Sequence, residues 1–199
     1  MPVGEATASC ATCLRAPPPW RSACCAVDYG FPWSRLVAEF KYQARPEHAR
    51  LFARLLSASL RQRAEPAGID WVIPVPLDPP RLRERGYNQA WEIARHLTTI
   101  RHQEHPDLPH RASAQALIRE PGSAHQAELT RGARQANLAG RFSVNPRARQ
   151  ALQGARVGLV DDVMTTGATF AEATRTLLSA GAAEVHVWSF ARTPAPPLE

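Results

Sequence analysis

The chain has 199 residues, which is long enough for one domain with a substantial core. It contains no run of eighteen apolar residues and begins with no basic-then-apolar leader, so we expect no membrane insertion, no secretory signal and a cytoplasmic protein with reduced thiols. The formal net charge of +6 is carried almost wholly by arginine, because Lys41 is the only lysine. This balance favours polyanions such as phosphorylated metabolites or nucleic acid, unless it reflects arginine usage alone.

Residues 1–30 are polar, rich in cysteine and proline, and show no helical or strand period, which predicts an N-terminal appendage. A domain over residues 31–192 and a frayed tail over 193–199 complete the expected organisation. Apolar residues at helical spacing predict two helices between Pro32 and about Arg63, broken near Pro46. The apolar, β-branched segment Ile69–Leu77 predicts a buried strand.

The segment "RLRERGYNQA" is expected to be a basic loop, followed by a helix from Ala90 to about Ile100. Weaker signals indicate a strand near Ala116–Arg119, and "HQAELTRGARQANLAGRF" is compatible with a helix ending at Gly140. Arg156–Val160 and Glu184–Ala191 are predicted strands, with a helix over Ala168–Ala180 between them that Gly181 ends. Strands that alternate with helices predict an α/β fold with a parallel sheet flanked by helices.

The thirteen-residue segment "VGLVDDVMTTGAT", from Val157 to Thr169, carries the clearest chemical signal. Asp161 and Asp162 follow an apolar strand at the carboxyl edge of the sheet, where ligands bind in open parallel sheets. The next residues supply three hydroxyls, a glycine and the free N–H groups of a helix start, a combination that suits a phosphate. Adjacent carboxylates would repel a second phosphate, so they are expected to accept hydrogen bonds from sugar hydroxyls or to act through a divalent cation.

Three other interpretations of this segment remain open. The acids could be magnesium ligands of a phosphotransfer site, the threonines could be helix N-caps, or the segment could be a structural strand-to-helix turn. The uninterrupted order of apolar residues, two acids and T-T-G-A-T favours a ligand that carries both ribose and phosphate.

This segment resembles the phosphoribosyl pyrophosphate signature of the type I phosphoribosyltransferases. Further motifs resemble the ComF family of competence-related proteins in the order that family shows them: "FPWSRLVAEFKYQAR", "IPVPLDPPRLRERGYNQA", and Gln126, Leu129, Arg134, Asn137 and Phe142. The resemblance covers about residues 10–192. It implies the type I phosphoribosyltransferase fold and a link to the uptake or use of external DNA.

The resemblance also implies roles for individual residues. Asp161 and Asp162 would hold the ribose hydroxyls, and magnesium would bridge pyrophosphate and ribose oxygens. The 5′-phosphate would lie on Thr165, Thr166, Gly167, Ala168 and Thr169. The pyrophosphate would meet the loop residues Arg83, Arg85, Gly86, Asn88 and Gln89, because guanidinium groups pair with phosphate oxygens in a bidentate manner. A mobile hood would include Gln126, Arg134 and Asn137, although Pro121 and Ser123 replace the arginine and threonine usual there.

All four cysteines lie within the first twenty-five residues. ComF-like proteins carry two C-x-x-C pairs that form a zinc ribbon, whereas this chain has one, Cys10 and Cys13. These two are candidate zinc ligands. The alternatives are a remnant of a longer module or an irregular site that includes Cys24 and Cys25.

Two functions follow from these patterns. The first is a phosphoribosyltransferase that moves the phosphoribosyl group to a base or another nucleophile and releases pyrophosphate, with no residue identifiable as its general base. The second is a binding protein that senses nucleotides or assists single-stranded DNA through arginines and the aromatic residues Trp20, Tyr29, Phe31 and Trp33. The expected partners are phosphoribosyl pyrophosphate or a related sugar phosphate, with single-stranded DNA or DNA-uptake proteins as the alternative; a homodimer stays open.

Overall fold

The computed structural model describes residues 15–63, 68–105, 111–120 and 140–194, and the element labels count within these ranges. The strands are β1 (Ser22–Asp28), β2 (Trp71–Pro74), β3 (Arg111–Ala112), β4 (Leu117–Arg119), β5 (Phe142–Val144), β6 (Arg156–Met164) and β7 (Glu184–Arg192). The α-helices are α1 (Trp33–Tyr42), α2 (His48–Gln62), α3 (Pro79–Arg85), α4 (Gln89–Glu104), α5 (Pro146–Arg149) and α6 (Ala168–Ser179), and a 3₁₀ turn spans Gln150–Leu152.

Five strands form one sheet in the order β1-β7-β6-β2-β3, and every neighbouring pair in it is parallel. Strands β4 and β5 pair antiparallel in a separate two-stranded sheet. The expected class, a parallel sheet flanked by helices, is confirmed. Because helices cover both faces, β6 and β7 consist of nearly continuous apolar residues, as buried parallel strands do.

The helices divide between the two faces of the sheet. On one face, α1, α2 and α4 pack around Phe40, Phe52, Trp188 and Phe190, with the rings of Phe52 and Phe190 stacked at 3.7 Å between centroids. On the other face, α6 and the antiparallel pair β4–β5 cover a second apolar cluster that includes Phe170. These two layers hold the sheet rigid, so that its carboxyl edge can carry a site.

The expectation that residues up to about 30 lack a strand is wrong from Ser22 onward. Strand β1 pairs with β7 from Ser22 opposite His186 to Asp28 opposite Arg192. Its small and apolar residues face a covered layer on both sides, so the sequence shows no alternation of polar and apolar positions.

The two helices predicted around Pro46 are confirmed as α1 and α2, and the strand and helix boundaries near the signature segment differ by only a few residues. The expected basic loop is wrong, because residues 79–85 form α3. Asp78 caps this helix by accepting from the Arg81 amide at 3.0 Å, and Gly86 ends it in the left-handed conformation with φ of 77°.

The strand expected near Ala116–Arg119 is confirmed as β4, and β3 and β5 were not anticipated. The helix considered before Gly140 lies outside the described residues. In the ranges that the structure describes, no helix combines the length and the apolar character needed to cross a membrane.

Candidate ribose-phosphate site

The candidate site lies where the connections of two adjacent strands leave toward opposite faces of the sheet. The chain after β2 returns through α4 on one face, whereas the chain after β6 returns through α6 on the other. Such a switch point opens a crevice at the carboxyl ends of the strands, where open α/β sheets bind ligands. Strand β2 ends with Pro74 paired to Val160, so Asp161 is the first residue of β6 that projects beyond it.

The sequence analysis expected the two acids to follow their strand. The structure places both of them within it. Strand β6 continues to Met164, and Asp161 is paired with Ser189 of β7. The longer neighbour β7 therefore supports the backbone of both acids, while the end of β2 leaves one side open. Since neighbouring residues of a strand point to opposite faces, the two carboxylates do not occupy equivalent positions.

Asp162 is buried, with 5% of its surface exposed. Its Oδ1 lies 2.9 Å from the Nζ of Lys41 on α1, and the two side chains are 8% and 20% exposed. Asp161 keeps partial exposure, and its Oδ1 accepts a hydrogen bond from the Asp162 amide at 2.8 Å. Burial raises the pKa of Asp161 from 3.8 to about 7; the negative charge of Asp162 adds to this effect, and Lys41 opposes it.

The T-T-G-A-T residues form the loop from β6 into α6. Thr165 and Thr166 are exposed, and Gly167 is the N-cap with φ of 79°, a left-handed conformation that favours glycine. The Ala168 amide donates a 3.3 Å hydrogen bond to Thr166 Oγ1, the Trp20 ring lies beside Gly167, and the first turn of α6 carries no acid. Its N–H groups and positive dipole end are therefore oriented to receive an anion.

Residues predicted for the pyrophosphate lie in and after α3. Arg83 is exposed, as is Gly86, which ends the helix. Arg85 is half-buried, stacks over the Tyr42 ring at 5.4 Å and donates to Gln89 Oε1 at 3.1 Å. The structure thus brings Arg85 toward the end of α1 that carries Lys41.

Asn88 has a well-defined structural role. Its Oδ1 accepts from the amides of Ala90 and Trp91 at 2.9 and 3.4 Å, capping α4, and its Nδ2 donates to the Val75 carbonyl at 3.1 Å. Asn88 therefore ties the start of α4 to the end of β2. Gln89 is buried beside Arg85, which makes it a support of that arginine in this arrangement.

Two residues of this region were missed by the sequence analysis. Lys41 was noted only as the single lysine, and that rarity in an arginine-rich chain was the signal that could have marked it. Arg119, at the end of β4, lies over the Phe142 ring at 5.5 Å. Burial lowers the pKa of Arg119, whereas the carboxylates of Asp78 and Asp161 raise it, so the guanidinium lies within electrostatic range of both acids.

The hood candidates Gln126, Arg134 and Asn137 lie outside the described residues, as do Cys10 and Cys13. An irregular metal site of all four cysteines would require Cys24 and Cys25 to face the same ion. These neighbours in β1 pack in opposite layers, and burial raises the pKa of Cys25 to about 11, which disfavours the thiolate that binds a metal.

The described side chains form no ready-made metal site. Over the described ranges, no group of three or more His, Cys, Asp or Glu side chains is placed to hold a metal ion. Asp162 is already neutralised by Lys41. A magnesium ion at this site would take most of its oxygen ligands from a bound sugar phosphate and not from these side chains.

An open parallel sheet with an acid pair at its switch point, followed by a T-T-G-A-T helix start, defines the class of this protein. It is an α/β protein with a parallel sheet flanked by helices, and its site segment resembles the phosphoribosyl pyrophosphate signature. Comparison with known proteins then gives the family. The chain is 34% identical over 196 residues to DNA utilization protein YhgH of Escherichia coli O6:H1, covering 97% of this chain and 82% of that protein.

Competence protein F of Haemophilus influenzae is 33% identical over 186 residues, covering 92% of this chain and 78% of its own length. The chain belongs to the family of these DNA utilization and competence proteins, which confirms the resemblance. No protein-family model matches it. Among solved structures, glutamine phosphoribosylpyrophosphate amidotransferase from B. subtilis has 20% identity and a TM-score of 0.44, over 75% of this chain and 30% of that one.

Proposed function

We propose that the protein binds phosphoribosyl pyrophosphate or a related sugar phosphate at the carboxyl edge of β6. One observation carries this proposal: the acid pair and the start of α6 are joined by a single short loop at the switch point of the sheet. The helix start suits a phosphate, and carboxylates suit the hydroxyls of a sugar. Together they match a five-carbon sugar that carries a terminal phosphate.

In this proposal each group of the ligand meets a separate part of the site. The 5′-phosphate lies against residues 165–169 and accepts from their hydroxyls and amides. The ribose hydroxyls donate to the acid pair. The pyrophosphate extends toward the cations of α3, of which Arg85 is already directed inward and Arg83 is exposed. Magnesium, when bound with the ligand, would neutralise pyrophosphate oxygens and so favour their departure from carbon 1.

The proposed reaction is displacement of pyrophosphate from carbon 1 of the ribose by a base or another nucleophile. The bond between carbon 1 and the pyrophosphate oxygen breaks, the bond to the nucleophile forms, and the nucleophile loses its proton to solvent or to the ligand's own oxygens. The contribution of the chain is to bind and orient the sugar and to stabilise the leaving charge. None of the described side chains is assigned as a general base.

The alternative is a non-catalytic protein that handles single-stranded DNA, and two observations favour it as a second candidate. The names of the relatives refer to DNA utilization and competence. In addition, Phe31 and Tyr42 are 87% and 70% exposed, and Arg85 stacks on Tyr42. Trp33, by contrast, packs edge-on against Phe190 and is not available for bases.

Turnover and binding separate the two candidates. The wild-type protein is titrated by calorimetry with phosphoribosyl pyrophosphate and magnesium, and pyrophosphate release is then measured with a panel of bases. Replacing both acids, Asp161→Asn with Asp162→Asn, should weaken binding by about 2–5 kcal/mol because charge-assisted contacts are lost. Unchanged affinity in a folded double mutant would refute the site; binding without release, together with salt-sensitive retention of single-stranded DNA, would favour the alternative.

A further inference from the structure

The ion pair between Lys41 and Asp162 connects two distant parts of the chain at the candidate site. The Nζ to Oδ1 distance is 2.9 Å, and both side chains are largely removed from solvent. The chain has only one lysine among its 24 basic residues, and it is placed here. An ammonium is a compact charge on a flexible stem, whereas a guanidinium needs a wider, planar space.

The position of Lys41 is fixed by its neighbours. Phe40 is fully buried and lies edge-on to Phe52, with centroids 5.2 Å apart and planes at 88°. The hydroxyl of Tyr87 donates to the Phe40 carbonyl. The end of α1 is therefore held against α2 and the start of α4, so that Lys41 reaches Asp162 from a rigid base.

The surroundings of the two acids differ. Asp162 is 5% exposed and its charge is compensated by an internal cation. Asp161 is more exposed, is bound through Oδ1 to the Asp162 amide, and lies next to the opening that the end of β2 leaves. The charged groups that act on Asp161 are the carboxylate of Asp162, the ammonium of Lys41 and the guanidinium of Arg119.

We propose that the two acids have different tasks: Lys41 is a positioning residue that holds Asp162 as an internal ion pair, and Asp161 is the carboxylate that binds the sugar hydroxyls. This inference rests on the proposed function, because it specifies which acid meets the sugar. The internal pair keeps the backbone of β6 in place beneath Asp161. The ammonium of Lys41 also lowers the pKa of Asp161, which opposes the rise caused by the neighbouring carboxylate of Asp162.

The test compares the affinities of ribose 5-phosphate and inorganic phosphate, measured by calorimetry at pH 8 on each variant. Their ratio isolates the contribution of the sugar and cancels changes at the phosphate loop. Asp161→Asn should lower this ratio about tenfold or more, the value of one charge-assisted hydrogen bond. Asp162→Asn should keep the ratio within about threefold of wild type while lowering the melting temperature, because Lys41 then loses its partner.

Four further variants separate positioning from simple folding. Lys41→Met should raise the pH at which ribose 5-phosphate affinity falls to half, since Asp161 loses a nearby positive charge, and Lys41→Arg should restore much of that midpoint. Arg35→Met removes an exposed cation from the same helix and should leave both the affinity ratio and the pH midpoint unchanged. The double variant Lys41→Met with Asp162→Asn removes both charges and serves if the single Asp162→Asn protein does not fold.

The outcomes discriminate between the inference and the proposed function. If Asp162→Asn, or the double variant in its place, lowers the ratio as much as Asp161→Asn does, the division of tasks is wrong while the sugar-phosphate site stands. An unchanged pH midpoint in Lys41→Met would refute the positioning role. If the wild-type protein binds ribose 5-phosphate no better than inorganic phosphate, both the inference and the proposed function fail.

Discussion

Replacement of Asp161 by asparagine should stabilise the protein while it weakens the binding of the sugar. The pKa of Asp161 rises from 3.8 to about 7, first through burial and then through the charge of Asp162. A shift of about three units corresponds to an upper limit of about 4 kcal/mol for keeping the carboxylate ionised in the folded state. The value of about 7 already includes the attraction of Lys41 and Arg119, and solvent screens the partly exposed carboxylate, so we expect asparagine to give a net gain of about 1–3 kcal/mol at pH 8.

The sign of the pH dependence follows from the raised pKa. Proton uptake by Asp161 in the folded state contributes stability that is fully present below pH 3.8 and is lost as the pH rises through about 7. The advantage of Asp161→Asn should therefore be largest at pH 8 and vanish near pH 4. Thermal unfolding measures it, with about 2–4 °C expected for each kcal/mol in a chain of this size.

Asp162→Asn is the matched control for this prediction. The substitution is chemically identical and one residue away, yet it leaves a half-buried lysine without its partner. We expect a lower melting temperature, opposite in sign to that of Asp161→Asn. If both variants melt below the wild type at pH 8, or if the gain of Asp161→Asn does not depend on pH, the ionisation cost assigned to Asp161 is refuted.

Two pairs of substitutions test the framework around the site. Asn88→Ala should cost about 2–3 kcal/mol in unfolding free energy, because it removes both the cap of α4 and the bond to Val75, and Asn88→Asp, which keeps the cap, should lose less. Gly158→Ala would place a Cβ in the buried ring of Trp188 and should cost about 1–3 kcal/mol or more, whereas Gly30→Ala, with open space around it, should be close to neutral. Denaturant unfolding checks both pairs; equal stability of Asn88→Ala and wild type, or of the two glycine variants, would contradict the packing described.

The fold was predictable wherever the apolar residues follow one clear pattern along the sequence. Helices α1, α2 and α4 expose one polar face, so their helical spacing is visible, and β6 and β7 show the apolar runs of covered strands. Strand β1 was missed because it carries small or apolar residues on both faces, so its sequence does not alternate between polar and apolar positions. Helix α3 was missed although Asp78 and Gly86 carry its start and stop signals, because its charge suggested a loop.

The candidate site was predictable only in its continuous part. The acids and the hydroxyl loop are adjacent in sequence, so one segment was enough to locate them. The ion pair of Lys41 with Asp162, and the approach of Arg119, depend on packing between residues far apart in the chain. Local patterns carry no information on such contacts, and the split between the two acids became visible only with the register of β2 and β6.

The location of a bound sugar phosphate tests the central claim most directly. A crystal structure of the full chain grown with phosphoribosyl pyrophosphate and magnesium should show the 5′-phosphate against residues 165–169 and the ribose next to Asp161. A ligand bound elsewhere on the molecule, with Asp161 and the start of α6 free of contacts, would contradict the account.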